Sequence, residues 1–233
     1  MRFSINQQSY CFSCGRCYEN QKPTSVRILC SECYNDLPFF NQNTCVISGS
    51  SSPIKYSYEA MGLNDLRAIF YYRGQIARAI KSFKYNGSLY SLKFLRGLCA
   101  DWATKNEELL REYDAIVAVP SHIVSLLKRG LNPASAIISK VIGIEQRHHL
   151  LKKIRRLPPM ASQNAVDRKK LKRSRLFECG EDLSGKSVLI FDDVMSTGTT
   201  LENLAYCLRE KGAVKVSALI LARNQKQEFI PNH

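Results

Sequence analysis

Two adjacent carboxylates stand between an apolar run and a hydroxyl-rich turn in Val188-Leu189-Ile190-Phe191-Asp192-Asp193-Val194-Met195-Ser196-Thr197-Gly198-Thr199-Thr200. Neighbouring acids can hold the hydroxyls of a sugar or a divalent metal. Small hydroxyl residues and a glycine ahead of a helix can aim backbone N–H groups at a phosphate. The chemistry this stretch suits is recognition of a sugar phosphate. The apolar residues 188–191 read as a buried parallel strand with the acids where it ends. Leu201 to Lys211 then carries helical spacing. In an open α/β sheet, ligands bind beyond the carboxyl ends of the strands, which is where this turn would lie.

A second constellation is thiol chemistry. Six of the nine cysteines fall at positions 11, 14, 17, 30, 33 and 45. Cys11-x-x-Cys14 and Cys30-x-x-Cys33 are separated by fifteen residues, the spacing of a two-knuckle zinc site. Each short gap lets both thiolates of a pair reach one tetrahedral ion at about 2.3 Å per bond. Four thiolates would close the coordination sphere, so the expected role is structural. Cys17 offers a competing pair with Cys14. Cys45 begins a knuckle half whose second position is Ser48, and no metal is expected there.

The third constellation is charge. The chain of 233 residues carries +14, with a pI near 9.5, which favours polyanionic partners. Residues 147–175 hold eleven Arg and Lys side chains against the single acid Asp167, a net of +10. With Pro158-Pro159 and few apolar residues, about 147–177 reads as a basic mobile loop. Arg168, Lys169, Lys170, Lys172 and Arg173 are its densest part. They suit a nucleic-acid track or closure over a polyphosphate. With Phe177 the one aromatic nearby, base-specific reading is not supported.

The elements that must position these groups alternate. An apolar fraction of 45% is ordinary for a globular chain. No run is long enough to span a bilayer, and the polar start lacks a signal-peptide core, so a cytoplasmic location without membrane insertion is expected. Residues 1–50 form a cysteine-rich module, and Gly49-Ser50-Ser51-Ser52-Pro53 reads as a linker to a domain over 51–233. Leu66 to Tyr72 suits a strand. Ile76, Ile80 and Phe83 give a helix after Gly74, with Lys81 and Lys84 on other faces. Leu92, Leu95, Cys99 and Trp102 line a second helix. Ala115 to Pro120 is a second buried strand. Asn132 and Pro133 should cap and open a helix to Ile142. Gly212 should stop the helix after the acids, and Val214 to Leu221 forms a last strand. Such alternation implies a parallel sheet with flanking helices and right-handed crossovers.

Residues 188–200 resemble the phosphoribosyl pyrophosphate (PRPP) signature of type I phosphoribosyltransferases. Together with the cysteine module, the Arg129-Gly130-Leu131-Asn132 segment and the basic loop, the chain resembles the ComF family (ComF, ComFC and GntX-like) along nearly its whole length. The resemblance implies an α/β fold, a Rossmann-like phosphoribosyltransferase domain preceded by a small zinc module. It implies that Asp192 and Asp193 meet the ribose hydroxyls, with Mg2+ arriving on PRPP. Val194, Met195, Ser196, Thr197, Gly198, Thr199 and Thr200 would cradle the 5′-phosphate. Pro120 and Ser121 would form the pyrophosphate loop, and Arg129 would face the phosphates. It further implies natural transformation, with single-stranded DNA and other competence proteins as partners. Leu131 and Pro133 depart from the family's usual Phe and Gln. Ser196 stands where purine-salvage members carry an acid. One reading is therefore a PRPP-dependent transferase. The other is a non-catalytic DNA-uptake factor whose PRPP site is vestigial or regulatory.

Overall fold

The computed structural model describes residues 9–18, 29–41, 46–47, 58–121, 123, 126–127, 130–139, 145–146, 150–154, 176–195 and 198–224. Its centre is a five-stranded parallel sheet. In chain order the strands are β3 (Asp65–Tyr71), β4 (Ala115–Ala118), β5 (Glu145–Gln146), β8 (Ser187–Met195) and β9 (Lys215–Arg223). Their spatial order is β3-β9-β8-β4-β5, and every pairing is parallel. This is the expected α/β class. Buried apolar runs such as Val188 to Phe191 are what a sheet covered on both faces requires.

The sheet pleat divides the core. Leu189 and Phe191 face one side, packed with Ile76, Ile80 and Phe83 of α2 (Gly74–Asn86), with α3 (Leu89–Lys105), and with Ala134 and Ile137 of α5 (Pro133–Ile138). Val188 and Ile190 face the other, against Leu201, Leu204, Ala205 and Leu208 of α6 (Thr199–Glu210). That second face is completed by Met61 of the short 3-10 turn Tyr58–Met61 and by the antiparallel ribbon of β6 (Leu151–Lys153) and β7 (Phe177–Cys179). A brief helix α4 (Glu107–Leu110) leads into β4.

The cysteine region is a hairpin, β1 (Ser9–Tyr10) with β2 (Cys17–Tyr18), followed by α1 (Ser31–Asn35). It packs on the α2–α3 side: Phe12 stacks on Phe94 at 4.2 Å and on Tyr90 at 4.6 Å between ring centres. Lys105 donates to the Tyr34 hydroxyl at 2.7 Å and to Asp101 at 2.9 Å, while Tyr34 donates to the same Asp101. Just beyond α1, Phe40 N–H donates to Ile69 O at 2.9 Å and Tyr71 N–H to Pro38 O at 2.7 Å. The segment thereby covers the otherwise open edge of β3, an edge that would invite foreign strands.

Three local expectations are corrected. β8 does not stop before the acids: pairing with β9 continues through Asp192↔Ile220 to Met195↔Arg223. The helix opened by Pro133 ends at Ile138, because Ser139 turns extended and its hydroxyl donates to Ala136 O while accepting from Arg96. Asn132 precedes that helix but its side chain makes no cap bond. It is used elsewhere, as described below. The predicted linker and Cys45 lie outside the described residues, as does most of the basic loop, Arg168, Lys169, Lys170, Lys172 and Arg173 included. The described ends of that expected loop are instead the paired strands β6 and β7, anchored by buried Leu150, Leu151, Leu176 and Phe177.

Candidate functional site

β4 and β8 are neighbours, so the residues that follow them share one edge of the sheet. Val119 N–H donates to Phe191 O at 2.8 Å, which sets Pro120 and Ser121 beside the start of the acid pair. Asn132 holds that loop from the far side. Its amide donates to Val119 O at 2.9 Å and its oxygen accepts from the Ser121 hydroxyl at 3.3 Å. The asparagine is thus committed to the loop, which is why it does not cap its own helix.

At the end of β8, Val194 and Met195 complete the strand and α6 begins at Thr199 and Thr200. Ser196, Thr197 and Arg129 lie outside the described residues. Gly198 is buried with φ +81°, a left-handed conformation that glycine reaches without a side-chain clash. A Cβ there would fall 2.8 Å from the terminal methyls of both Met61 and Met195. A twelve-residue helix therefore opens from this turn with no side-chain cap on its first N–H groups. That is the arrangement in which a helix N-terminus favours an anion.

The pleat that sorts the core also sorts the acids. Successive strand residues point to opposite faces. Asp193 follows Leu189 and Phe191 toward α2, where Lys84 Nζ meets its two oxygens at 2.8 and 2.7 Å. Asp192 follows Val188 and Ile190 toward the β6–β7 ribbon and feels the charge of Lys153. The apolar spacing of α2 puts Lys84 on another face than Ile76, Ile80 and Phe83, yet it reaches the acid. It stands one helical turn from the fully buried Ile80, and that i,i+4 spacing was the available signal. Lys153 was counted only as loop charge, yet its ammonium lies 5.5 Å over the Phe177 ring, and burial lowers its pKa.

Burial and the charge of Asp193 push the half-buried Asp192 carboxyl up to about 8, with Lys84 and the Asp193 N–H pulling the other way. That N–H donates to Asp192 Oδ1 at 2.9 Å. Tyr72, at the end of β3, is raised by burial, opposed by Lys84.

A residue the sequence reading missed holds this edge together. Arg223, fully buried at the end of β9, donates to four carbonyls. They are Val46 at 2.5 Å, Ile47 at 2.6 Å, and Met195 and Asn224 at 2.9 Å each. It ties residues 46–47 of the cysteine-rich segment to the last residue of β8. An arginine at the end of an apolar strand reads as a solvent-facing terminus, so no local pattern reveals this.

The cysteines assemble as their spacing requires. Cys11 and Cys14 sit on the β1–β2 turn, closed by Gly15 N–H to Cys11 O at 2.9 Å. Cys30 and Cys33 sit at the start of α1. The four sulfurs lie within 4.8 Å of one another, compatible with a tetrahedral Zn–S4 site whose sulfur–sulfur edges are about 3.8 Å. Exposed Cys17 is outside that group. The eight described cysteines are all thiols. Burial opposes ionisation of Cys11, yet the N–H groups of Cys14, Cys30 and Ser13 outweigh it and bring that thiol down to about 6. Burial pushes Cys33 up to about 12, so a cation is needed to ionise the full set. The donor set fits zinc.

Residues 102–233, more than half of the chain, match the phosphoribosyl transferase domain. The chain is 24% identical to competence protein F of Haemophilus influenzae over 216 residues, covering 90% of each. It is 24% identical to competence protein ComFC of Bacillus subtilis, over 71% of this chain and 67% of that one. It is 26% identical to competence protein ComFC of Streptococcus pneumoniae, over 71% and 70%. With a parallel sheet, an acid pair on its central strand and a four-thiol cluster in front, this chain belongs to the phosphoribosyl transferase domain family as a ComF-like protein.

Proposed function

We propose that the edge formed by β4, β8 and α6 binds PRPP, with magnesium entering as part of that substrate. The single observation that carries this is the acid pair and left-handed Gly198 between β8 and α6, inside the residues matched to the family. In this reading the N–H groups of Gly198 to Thr200, with Ser196 and Thr197, receive the 5′-phosphate. Asp192 lies on the ribose side, with Asp193 next to it on the opposite face of β8 and held by Lys84. Pro120, Ser121 and Arg129 face the pyrophosphate. As pyrophosphate leaves, positive charge grows on the ribose, and fixed carboxylates beside it stabilise that charge. Catalysis would rest on such stabilisation and on positioning, and the phosphoribosyl group would pass to an acceptor. Zinc held by Cys11, Cys14, Cys30 and Cys33 has a structural role.

The second reading is favoured by the +10 charge of residues 147–175 and by relatives named as competence proteins. In it the protein handles single-stranded DNA in the cytoplasm during natural transformation, alongside other competence proteins. The PRPP site then regulates binding or is vestigial. One sample separates the two. Pyrophosphate release from PRPP–Mg2+ that vanishes in Asp192→Asn supports the transferase. Tight, salt-sensitive binding of single-stranded DNA without any pyrophosphate release supports the uptake factor. Failure to bind PRPP at all would remove the first reading.

A further inference from the structure

Both oxygens of Asp193 are already engaged. Lys84 Nζ lies 2.8 Å from Oδ1 and 2.7 Å from Oδ2, so one ammonium straddles the carboxylate. The pair is secluded, with side-chain exposures of 20% for the lysine and 8% for the acid. Charge-assisted bonds in such a setting are short and strong, and removing either partner would strand a charge. The lysine comes from α2, ahead of the residues matched to the family. Tyr72 stands close enough for the pair to act on its phenol.

The neighbouring acid differs. Asp192 turns to the opposite face of the strand, gives one oxygen to the Asp193 N–H at 2.9 Å, and is half-buried. Two acids pointing to opposite faces do not converge on one ion. A divalent cation meeting Asp193 would first have to displace an ammonium that makes two bonds to it. As seated, the acid pair does not fit a directly held magnesium.

We propose that Lys84 is a positioning residue that acts as the resident counter-cation of this acid pair. It fixes Asp193, keeps free divalent ions off the strand end, and leaves Asp192 as the acid that meets the sugar hydroxyls. The last clause rests on the PRPP reading; the exclusion of free metal does not. Metal then arrives with the polyphosphate ligand, and an empty site stays free of it.

The test uses Mn2+ alone, without PRPP, on the full zinc-loaded chain. Mn2+ occupancy is followed by calorimetry and by paramagnetic broadening of the Asp192 to Met195 amide signals. Wild-type protein is expected to show no broadening there at about millimolar Mn2+. Lys84→Met should gain at least about tenfold in Mn2+ affinity at this strand. Lys84→Arg should remain like wild type, because a guanidinium keeps two bonds to the carboxylate. The double variant Lys84→Met/Asp193→Asn should lose the gain. A folded Lys84→Met protein with no gain overturns the proposal, as does local broadening in wild type. If Lys84→Met does not fold, Lys84→Gln and the wild-type broadening experiment still decide it. Loss of PRPP binding would not affect these readouts, so the two proposals fail separately.

Discussion

Asp192 is the side chain whose chemistry is most sharply set by its surroundings. Its carboxyl is raised to about 8, by burial first and by Asp193 second. A sugar hydroxyl donates to a carboxylate, so the ionised form is the one that binds. PRPP affinity should therefore rise with pH by up to about tenfold per unit below 8, and level off above it. Asp192→Asn should remove that dependence while leaving the titration of the ligand's own phosphates. Affinity that is flat between pH 6 and 9 in wild type would contradict this. Stability carries the opposite slope. A raised folded pKa means the native state holds the proton more tightly than the unfolded chain. This group's contribution is complete below about 4, the unfolded value, and is lost as pH rises through about 8. The acids stand out in the sequence through the whole run 188–200, because Asp-Asp after an apolar strand would by itself read as ordinary capping of a strand–turn–helix. Their unequal partners were not. Lys84 and Asp193 are 109 positions apart, and only the register of β8 against α2 brings them together.

Elements were legible where period and punctuation agreed. α2, α3, α6 and the three long strands fall where apolar spacing and Gly74, Gly87 and Gly212 put them. The extension of β8 past its apolar run was not legible, because it depends on β9 offering partners as far as Arg223. At the end of α6, Gly212 takes φ +91°, and an added Cβ would meet Ser184 Cα at 3.0 Å and its nitrogen at 3.1 Å. Gly212→Ala should therefore cost about 1–3 kcal/mol, from backbone strain with no room to relax. A denaturation midpoint equal to wild type would refute that account. Arg223 acts at the same scale. Arg223→Met would strand the carbonyls of Val46 and Ile47, at about 1–3 kcal/mol for each that water cannot reach, while Met195 O keeps the Asn224 N–H at 3.2 Å. Lys should rescue little, since one ammonium cannot span carbonyls on two segments. Full stability in Arg223→Lys would show that charge alone suffices.

At the scale of the whole molecule, the cysteine module and the sheet are joined by apolar and polar contacts. Phe12 stacks on α3, Tyr34 meets Asp101 and Lys105, and residues 38–40 run along β3. The four-thiol spacing announced a metal-binding fold, but nothing in it announced this docking surface, which is built from isolated aromatics. Metal analysis of freshly reduced protein should find one zinc per chain. Chelation should lower the melting temperature of the whole chain, not only unfold its first forty residues, because α1 braces α3. Zinc-free protein of unchanged melting temperature would contradict that coupling.

The central claim is that the end of β8 and the start of α6 form the PRPP site. Calorimetric titration of PRPP–Mg2+ at pH 8 into wild-type and Asp192→Asn proteins tests it most directly, with melting temperatures measured alongside. Saturable one-to-one binding that weakens at least about tenfold in the variant, with folding unchanged, is the result this account predicts. Equal affinity in the two proteins, or no binding by the wild type, would contradict it.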